Sequence, residues 1–350
     1  MKKNHYGRPL PTNRRELNKF FSPKHVNLDT FEIVAGRGNL PLAKEVGKLI
    51  GKEVYQPCSN FADGEIDVQI QPNVRGREVF VIESMYPSPN DRIQELVLMA
   101  DAATRADGKK ITALIPYFAY ARQDRKPKSR TPISAARVAN QIASAGADRI
   151  FTIDIHAEQS EGSVNIVWDN VYGDKVIVPR IKKLGLKDAV VLSPDVGSAK
   201  RSEKFLGRLQ NGNELALVYK KRNLYKHDES EAIAIMGDVK GRSVIIFDDL
   251  ISTGSTALNA AKLAKKNGAT KVIVAASHAL FVPDSSGKTL PDRLHEPNCP
   301  IDKVIITDTI FQNDEIRKNK KIEVVSAAPI LAVAIYCYLT SDSIAKRLID

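Results

Sequence analysis

Two adjacent carboxylates, Asp248 and Asp249, close the apolar run Val244 to Phe247, and Ser252, Thr253, Gly254, Ser255 and Thr256 follow them. The β-branched run reads as a buried strand ending at the acids. Residues Ala257 to Lys266 are strong helix formers with apolar positions on one side, and Gly268 stands where a helix stops. A strand that opens through small hydroxyl residues into a helix presents backbone N–H groups and the positive end of the helix dipole, which suits phosphate. Side-by-side carboxylates have a different use, since they can accept hydrogen bonds from vicinal sugar hydroxyls or hold a divalent cation. Phosphate on one side and sugar or metal on the other describe a site for a ribose phosphate. An Asp pair that merely caps a loop is the competing reading of these residues taken alone.

Other groups of the same character recur along the chain. Phe61-Ala62-Asp63-Gly64-Glu65 precedes the alternating run Ile66 to Ile70. It reads either as a hairpin corner or as an aromatic platform for a base beside carboxylates that face an amino group or ribose. The stretch Tyr120 to Arg130, with Arg122, Gln123, Asp124 and Arg125, follows the strand Ile111 to Tyr117. A basic run is commonly a solvated face, but this one lies at the carboxyl end of a strand, where α/β sheets bind ligands. Thr131-Pro132 is expected to start the next helix. Strand Ile150 to Ile155 would put Asp154 on one face with His156, a fair metal or phosphate ligand next to an acid, although lone histidines are more often structural. Strand Val190 to Leu192 runs into Ser193 to Ser198, which holds Asp195 and Gly197 and is followed by Lys200 and Arg201. Strand Leu215 to Tyr219 leads to Lys220-Lys221-Arg222. That is either a solvated basic loop or a cationic segment placed where charge develops in a transition state.

The elements that must position these groups are visible in the pattern. Strand Phe31 to Ala35, Gly36-Arg37-Gly38-Asn39 and a helix over about 40–50 open the ordered chain. Pro41 stands where a dinucleotide fingerprint needs its third glycine, so this G-x-G is not that fingerprint, and no G-x-x-x-x-G-K-[ST] occurs anywhere. Strand Val79 to Glu83, a helix capped by Asn90-Asp91 with Ile93, Leu96, Val97, Ala100 and Ala103 on its apolar side, Gly108 and strand Ile111 to Tyr117 form one unit. Strand Val244 to Phe247, its helix, Gly268 and strand Val272 to Ala276 repeat that order at similar spacing. The chain reads as a duplicated α/β unit. In the first copy Pro87-Ser88-Pro89 replaces the phosphate loop, so the two copies have different roles. The boundaries read as a basic extension over 1–29, a first domain over 30–172 and a second over 173–350. A last helix at about 328–350 is a candidate to pack on the first domain.

Composition bounds the function classes. The 350 residues, 43% hydrophobic and 27% charged, suffice for two globular domains. A net charge of +11 favours anionic partners. No recognition module or aromatic-interleaved basic patch supports nucleic acid as that partner. No run is long enough to cross a membrane, and the first residues lack the apolar core of a secretion signal. Three scattered cysteines, Cys58, Cys299 and Cys337, argue against a disulfide framework and for a reducing, cytoplasmic setting.

With AGRGN-LPLA, FADGE, NVRG, PYFAYARQDR, PISA, DIHAEQ, DN-VYG, SPDVGSAKR and DDLISTGST in one order, the chain from about Phe31 to its end resembles the ribose-phosphate diphosphokinases, or phosphoribosyl pyrophosphate synthetases. The resemblance implies an α/β fold of two tandem phosphoribosyltransferase-like domains, each a mainly parallel sheet flanked by helices. It implies a transferase that moves the diphosphate of MgATP to the 1-hydroxyl of ribose 5-phosphate and releases AMP, with Mg2+ as cofactor. It implies a homo-oligomer, hexameric or dimer-based. Phe61, Asp63, Glu65, Arg122, Gln123 and Asp124 would hold ATP, partly across a subunit contact. His156 and Asp195 would act through the metal. Asp195, Asp248, Asp249 and Ser252, Thr253, Gly254, Ser255 and Thr256 would hold ribose 5-phosphate, and Lys220 and Arg222, with His156, would be the catalytic groups. Departures from the family pattern are Ser252 for an acid, Ser255 for a glycine, the segment after Arg222, and Ala345 and Leu348 in place of Ser and Phe. Ser255 is tolerable only if the backbone there does not need a positive φ. Two other readings stay open: a catalytically weak regulatory or associated subunit of such a synthetase, and a phosphoribosyltransferase, in which FADGE and YARQDR would have no role.

Overall fold

The computed structural model describes residues 9–22, 24–209, 214–222 and 230–349; the side chains at 220–222 and 230–233 fall outside that description. The chain divides into two compact units. Unit 1 comprises Met1–Lys175, Thr309–Phe311 and Ser326–Asp350, and unit 2 comprises Val176–Asp308 and Gln312–Val325.

Unit 1 begins with helix α1 (Arg14–Phe21), then β1 (Phe31–Ala35), α2 (Leu40–Ile50), β2 (Val54–Tyr55), β3 (Cys58–Asn60), β4 (Ile66–Val68) and β5 (Glu78–Ile82). It continues with α3 (Pro89–Arg105), β6 (Lys110–Ile115), α4 (Ser134–Ser144), β7 (Arg149–Ile153) and β8 (Val167–Val171). Six strands form a parallel sheet in the order β2-β1-β5-β6-β7-β8, while β3 and β4 make a separate antiparallel hairpin. All five residues of β1 are buried, as strands covered on both faces require. Helix α2 starts where the Asn39 side chain accepts the Leu42 N–H at 3.3 Å and stops at Gly51, whose φ of 82° suits glycine. Helix α4 starts two residues later than Thr131-Pro132 predicts. The Thr131 hydroxyl donates to the Lys128 carbonyl at 2.8 Å, closing a turn, and a residue before proline is held away from helical backbone.

Unit 2 contains α5 (Asp174–Lys183, its first two residues assigned to unit 1), β9 (Ala189–Ser193), α6 (Ala199–Leu209), β10 (Glu214–Arg222), β11 (Ser230–Met236), β12 (Ser243–Ile251) and α7 (Ser255–Lys266). Then come β13 (Lys271–Ala279), α8 (Leu290–Leu294), β14 (Lys303–Thr307), α9 (Asp314–Lys318) and β15 (Ile322–Val325). The seven strands run β11-β10-β9-β12-β13-β14-β15, parallel except for the β10–β11 pair. Alternation along β12 splits the core into two layers. Val244 and Ile246 face Ala257, Ala260 and Ala261 of α7, and Ile245 and Phe247 face Ile177 and Ile181 of α5 and Phe205 of α6. Thus both units are helix-flanked, mainly parallel sheets.

The chain returns to unit 1 in α10 (Ala328–Thr340), buried from Ala328 to Cys337, and a last turn at Ala345–Ile349. Helix α10 packs on α2. Within the stretch read as an extension, α1 buries Leu17 and Phe21. The Phe21 ring lies 5.1 Å from that of Tyr336, and Asn18 accepts the Tyr336 hydroxyl at 3.0 Å. Among the described residues no helix is long and apolar enough to cross a membrane.

Candidate active site

Strand β12 does not end at Phe247. It continues through the acid pair, with Leu250 opposite His278 and Ile251 opposite Ala279 on β13. Asp248 and Asp249 are therefore held on a hydrogen-bonded strand rather than on a loop, which gives two adjacent carboxylates little freedom to separate. Asp249 is 3% exposed. Arg201 of α6 donates through one nitrogen, Nη1, to both acids, at 3.0 Å to Asp248 Oδ1 and 2.7 Å to Asp249 Oδ1. Asp248 Oδ1 also accepts the Asp249 N–H at 3.0 Å. Burial, and then the neighbouring Asp249 carboxylate, raise the Asp248 carboxyl above the usual range, against the lowering effect of Arg201.

Beyond the acids the chain turns through Ser252 and Thr253 to Gly254, whose φ of 82° caps α7. A Cβ at Gly254 would also meet Leu290 Cβ at 2.8 Å, so this is the position of the loop that needs glycine. Ser255 is the first residue of α7 and its φ is not positive. A side chain is tolerated there. The Thr253 hydroxyl accepts the Ser255 N–H at 3.3 Å, and the remaining first-turn N–H groups have no partner within the helix by construction. Ser252, Thr253, Gly254, Ser255 and Thr256 thus surround a helix N-terminus, a favourable seat for phosphate.

Asp195 lies in the loop between β9 and α6, where its Oδ1 accepts the Ser198 N–H at 2.9 Å and its carbonyl accepts the Ser193 hydroxyl at 2.8 Å. β9 is the neighbour of β12 in the sheet, so this loop and the Asp248 loop leave adjacent strands. Lys220 and Arg222 close β10, next to β9 on the other side. Their backbone is strand, with a register shift against β11 between Tyr219 and Lys220. Their side chains, and residues 223–229 of the altered segment, lie outside the described residues.

In unit 1, Phe61, Asp63 and Glu65 form the exposed tip of the β3–β4 hairpin. The Phe61 N–H donates to Glu65 O at 2.8 Å, and Asp63 Oδ1 accepts the Glu65 N–H at 3.0 Å. The ring of Phe61 is 56% exposed. The hairpin-corner reading describes the local backbone, and the ring and acids remain available to a ligand. Arg122, Gln123 and Asp124 follow β6 and Tyr120, with Arg122 and Gln123 exposed. Two residues without a role in the sequence pattern hold this loop. The Ser134 hydroxyl donates to Gln123 Oε1 at 2.7 Å, and Gln159 Nε2 donates to Asp124 Oδ2 at 2.6 Å. Their only signal in the sequence is membership of the PISA and DIHAEQ strings. Strand β7 ends at Ile153, two residues earlier than predicted, and Asp154 has a φ of 44°. Strand alternation therefore does not extend to His156. Asp154 is buried and accepts the Gly173 N–H at 2.7 Å, while His156 is exposed.

The glycine-rich loop after β1 is filled from within unit 1. Its N–H groups are already taken by carboxyl oxygens: Arg37 donates to Glu95 Oε2 at 3.0 Å and Gly38 to Glu83 Oε1 at 2.9 Å. A Cβ at Gly36 would fall 1.4 Å from Glu83 Oε2, so the loop lies directly on these carboxyls. Burial, then Glu95, push Glu83 well above the usual carboxylate range. In addition, Pro89, without an N–H, opens α3, the helix that corresponds to α7. Unit 1 thus offers phosphate neither of these two loops in the form unit 2 does.

For a cation, Asp195 offers a carboxylate on the loop that leaves β9, the strand next to β12. Magnesium commonly binds through one or two carboxylates together with substrate phosphates, and Asp195 fits that habit. Among the described residues no cluster of three or more His, Cys, Asp or Glu side chains forms a self-sufficient metal site.

Comparison with known proteins agrees with this architecture. A family model described as the N-terminal domain of ribose phosphate pyrophosphokinase matches residues 31–146, and one described as the phosphoribosyl synthetase-associated domain matches residues 218–348. The ribose-phosphate pyrophosphokinase of Chlorobaculum tepidum is 40% identical over 315 residues, 89% of this chain and 93% of the relative. That of Pasteurella multocida is 39% identical over 307 residues, 86% of this chain and 94% of the relative. The crystal structure of the phosphoribosylpyrophosphate synthetase from Mycobacterium smegmatis superposes with a TM-score of 0.79 at 35% identity, covering 89% of this chain and 99% of that one. With a helix-seated phosphate cradle behind paired carboxylates in one phosphoribosyltransferase-like unit, and with relatives of this identity along nearly its whole length, the chain belongs to the ribose-phosphate pyrophosphokinase family.

Proposed function

We propose that this chain transfers the diphosphate of ATP to the 1-hydroxyl of ribose 5-phosphate, giving 5-phosphoribosyl 1-diphosphate and AMP. The observation that carries the proposal is the arrangement in unit 2: two rigidly held carboxylates on β12, immediately followed by the N-terminus of α7. A sugar with vicinal hydroxyls and a phosphate at the far end matches that order of groups. Asp248 and Asp249 accept the ribose hydroxyls, and Ser252, Thr253, Gly254, Ser255 and Thr256 hold the 5-phosphate. In unit 1, Phe61 stacks on the adenine, and Asp63, Glu65, Arg122, Gln123 and Asp124 hold the nucleotide. The basic residues around Arg122 face polyphosphate more naturally than they face solvent.

In the reaction the 1-hydroxyl oxygen forms a bond to the β-phosphorus as the bond from that phosphorus to the α,β-bridging oxygen breaks. The hydroxyl proton is lost and AMP departs. Positioning and positive charge suffice for this chemistry, without a covalent nucleophile. Lys220 and Arg222 supply charge to the transferring group, and His156 and Asp195 would act on its phosphates through the metal. Magnesium, when bound, neutralises phosphate charge, and Asp195 is its best-matched ligand in this chain. His156 is less suited to so hard a cation and contributes more naturally by hydrogen bonding to a phosphate. The protein acts as a homo-oligomer. Its three cysteines are free thiols, which fits a cytoplasmic setting.

The deciding experiment incubates the purified protein with ribose 5-phosphate and MgATP, varies inorganic phosphate, and follows AMP and the diphosphorylated sugar. Both products are expected in equal amounts. AMP without the diphosphorylated sugar would overturn the acceptor assignment. Absence of both products, with both ligands still bound, would assign the chain to a regulatory subunit. Size-exclusion chromatography with light scattering checks the oligomer, and a monomeric mass for the active species would contradict it.

A further inference from the structure

Arg201 lies in the first turn of α6, and its single Nη1 bridges Asp248 and Asp249 at 3.0 and 2.7 Å. Four residues on, and hence on the same helix face, Phe205 stacks on Phe247 with ring centroids 4.1 Å apart and planes 9° from parallel. Phe247 immediately precedes the acid pair on β12, and strand alternation gives it the same face as Asp249. Both phenylalanines are almost fully buried. The helix is thus fixed to the strand by a ring stack directly beside the carboxylates, and that stack determines where the guanidinium lies. Arg201 thus sets a positive charge against two adjacent carboxyl groups and offsets part of their negative charge, and Oδ1 of each is already engaged.

We propose that Arg201 is a positioning and specificity-determining residue for the ribose-phosphate site: it holds the acid pair as a receptor for a neutral vicinal diol and disfavours a second divalent cation between the two carboxylates. The proposal rests on the ribose-phosphate reading of this site. Without the Arg201 cation the acid pair would attract a divalent ion more strongly, whereas the bridged pair offers acceptors for hydroxyl donors with less pull on a competing cation. Both contacts to the acid pair come from one nitrogen, so a single positive charge at that point serves them. A lysine can partly replace it.

The test compares the wild-type full chain with Arg201→Gln and Arg201→Lys in steady-state assays, varying ribose 5-phosphate, MgATP and free Mg2+ separately. Arg201→Gln is expected to raise the KM for ribose 5-phosphate about 10-fold or more while that for ATP stays within about 2-fold, on the scale of a lost charged hydrogen bond. In that variant excess free Mg2+ becomes competitive with ribose 5-phosphate, and Arg201→Lys restores most of the wild-type KM and removes this competition. Equal rises in both KM values, a fall in kcat alone, or unchanged Mg2+ behaviour in Arg201→Gln would overturn the proposal. If the wild type forms no product, the synthetase reading fails by itself. Calorimetric titration of ribose 5-phosphate into the three proteins then reads the role of Arg201 directly: weakened binding in Arg201→Gln with recovery in Arg201→Lys supports it, and equal affinities reject it.

Discussion

At the scale of single residues the acid pair invites the most direct prediction. Asp249 is buried, bridged by Arg201 and assigned to ribose hydroxyls. Asp249→Asn keeps the shape and removes the charge, so it should raise the KM for ribose 5-phosphate by about 10- to 100-fold, the range of a weakened charged hydrogen bond, with the ATP value little changed. Equal losses for the two substrates, measured by varying each in turn, would remove the sugar from this strand. Lys220 is assigned to charge that develops during transfer. Lys220→Ala should therefore lower kcat by about 100-fold or more while equilibrium binding of ATP changes little. Nucleotide titration alongside single-turnover kinetics separates the two effects, and an unchanged kcat would dismiss the lysine from the reaction.

At the scale of elements, the two copies of the α/β unit diverge for identifiable reasons. In unit 2 a glycine with positive φ caps α7 and leaves its N-terminus to a ligand. In unit 1 the glycine-rich loop after β1 is filled by Glu83 and Glu95, and Arg37 and Arg92 pair with Glu95. Burial, and then Glu95, raise the Glu83 carboxyl above the ordinary value of 4.5, outweighing Arg92 and the Gly38 N–H, which lower it. A carboxyl raised in the folded state contributes stability that is complete below its unfolded value and is lost as pH rises through its folded value. Glu83→Gln cannot ionise. Its melting temperature relative to wild type should therefore increase steadily as pH rises above about 4.5, the unfolded value. A difference that stays constant with pH would mean that Glu83 is ionised in the folded protein throughout.

At the scale of the whole chain, unit 1 joins segments from both ends of the sequence. Helix α1 and α10 meet through Phe21 and Tyr336, and Arg347 lies 5.0 Å from the rings of both Phe20 and Phe21. The Arg347 guanidinium also donates to Phe20 O at 3.2 Å and to Asp342 at 2.7 Å. The first residues are thus part of the fold of unit 1 from Arg14 onward. Phe21 is 1% exposed, so Phe21→Ala should cost about 3 kcal/mol, the low end for a buried phenylalanine because the site is peripheral. Urea unfolding followed by circular dichroism would measure it, and a change below about 0.5 kcal/mol, the usual size for an exposed site, would show that α1 does not contribute to stability.

Much of this was legible in the residues alone. The apolar, β-branched runs, the glycines at helix stops and their repetition were enough for two parallel α/β units, because period and burial are local properties of the chain. The order Asp-Asp, small hydroxyls, Gly, helix was enough to propose a sugar-phosphate site, because those groups are contiguous on one strand–loop–helix. Three things needed the tertiary structure. Strand β12 runs on through the acids because β13 supplies partners beyond Phe247, and β7 stops before His156 because Asp154 takes a left-handed backbone. The loop of Gly36 and Gly38 is closed by carboxyls 45 and 58 residues away in sequence. Arg201 reaches the acid pair from 47 residues upstream, placed by the Phe205–Phe247 stack. Spacing along the chain carries the groups that act within one element. Which distant charge meets them depends on how helices pack on the sheet, and only the folded molecule sets that.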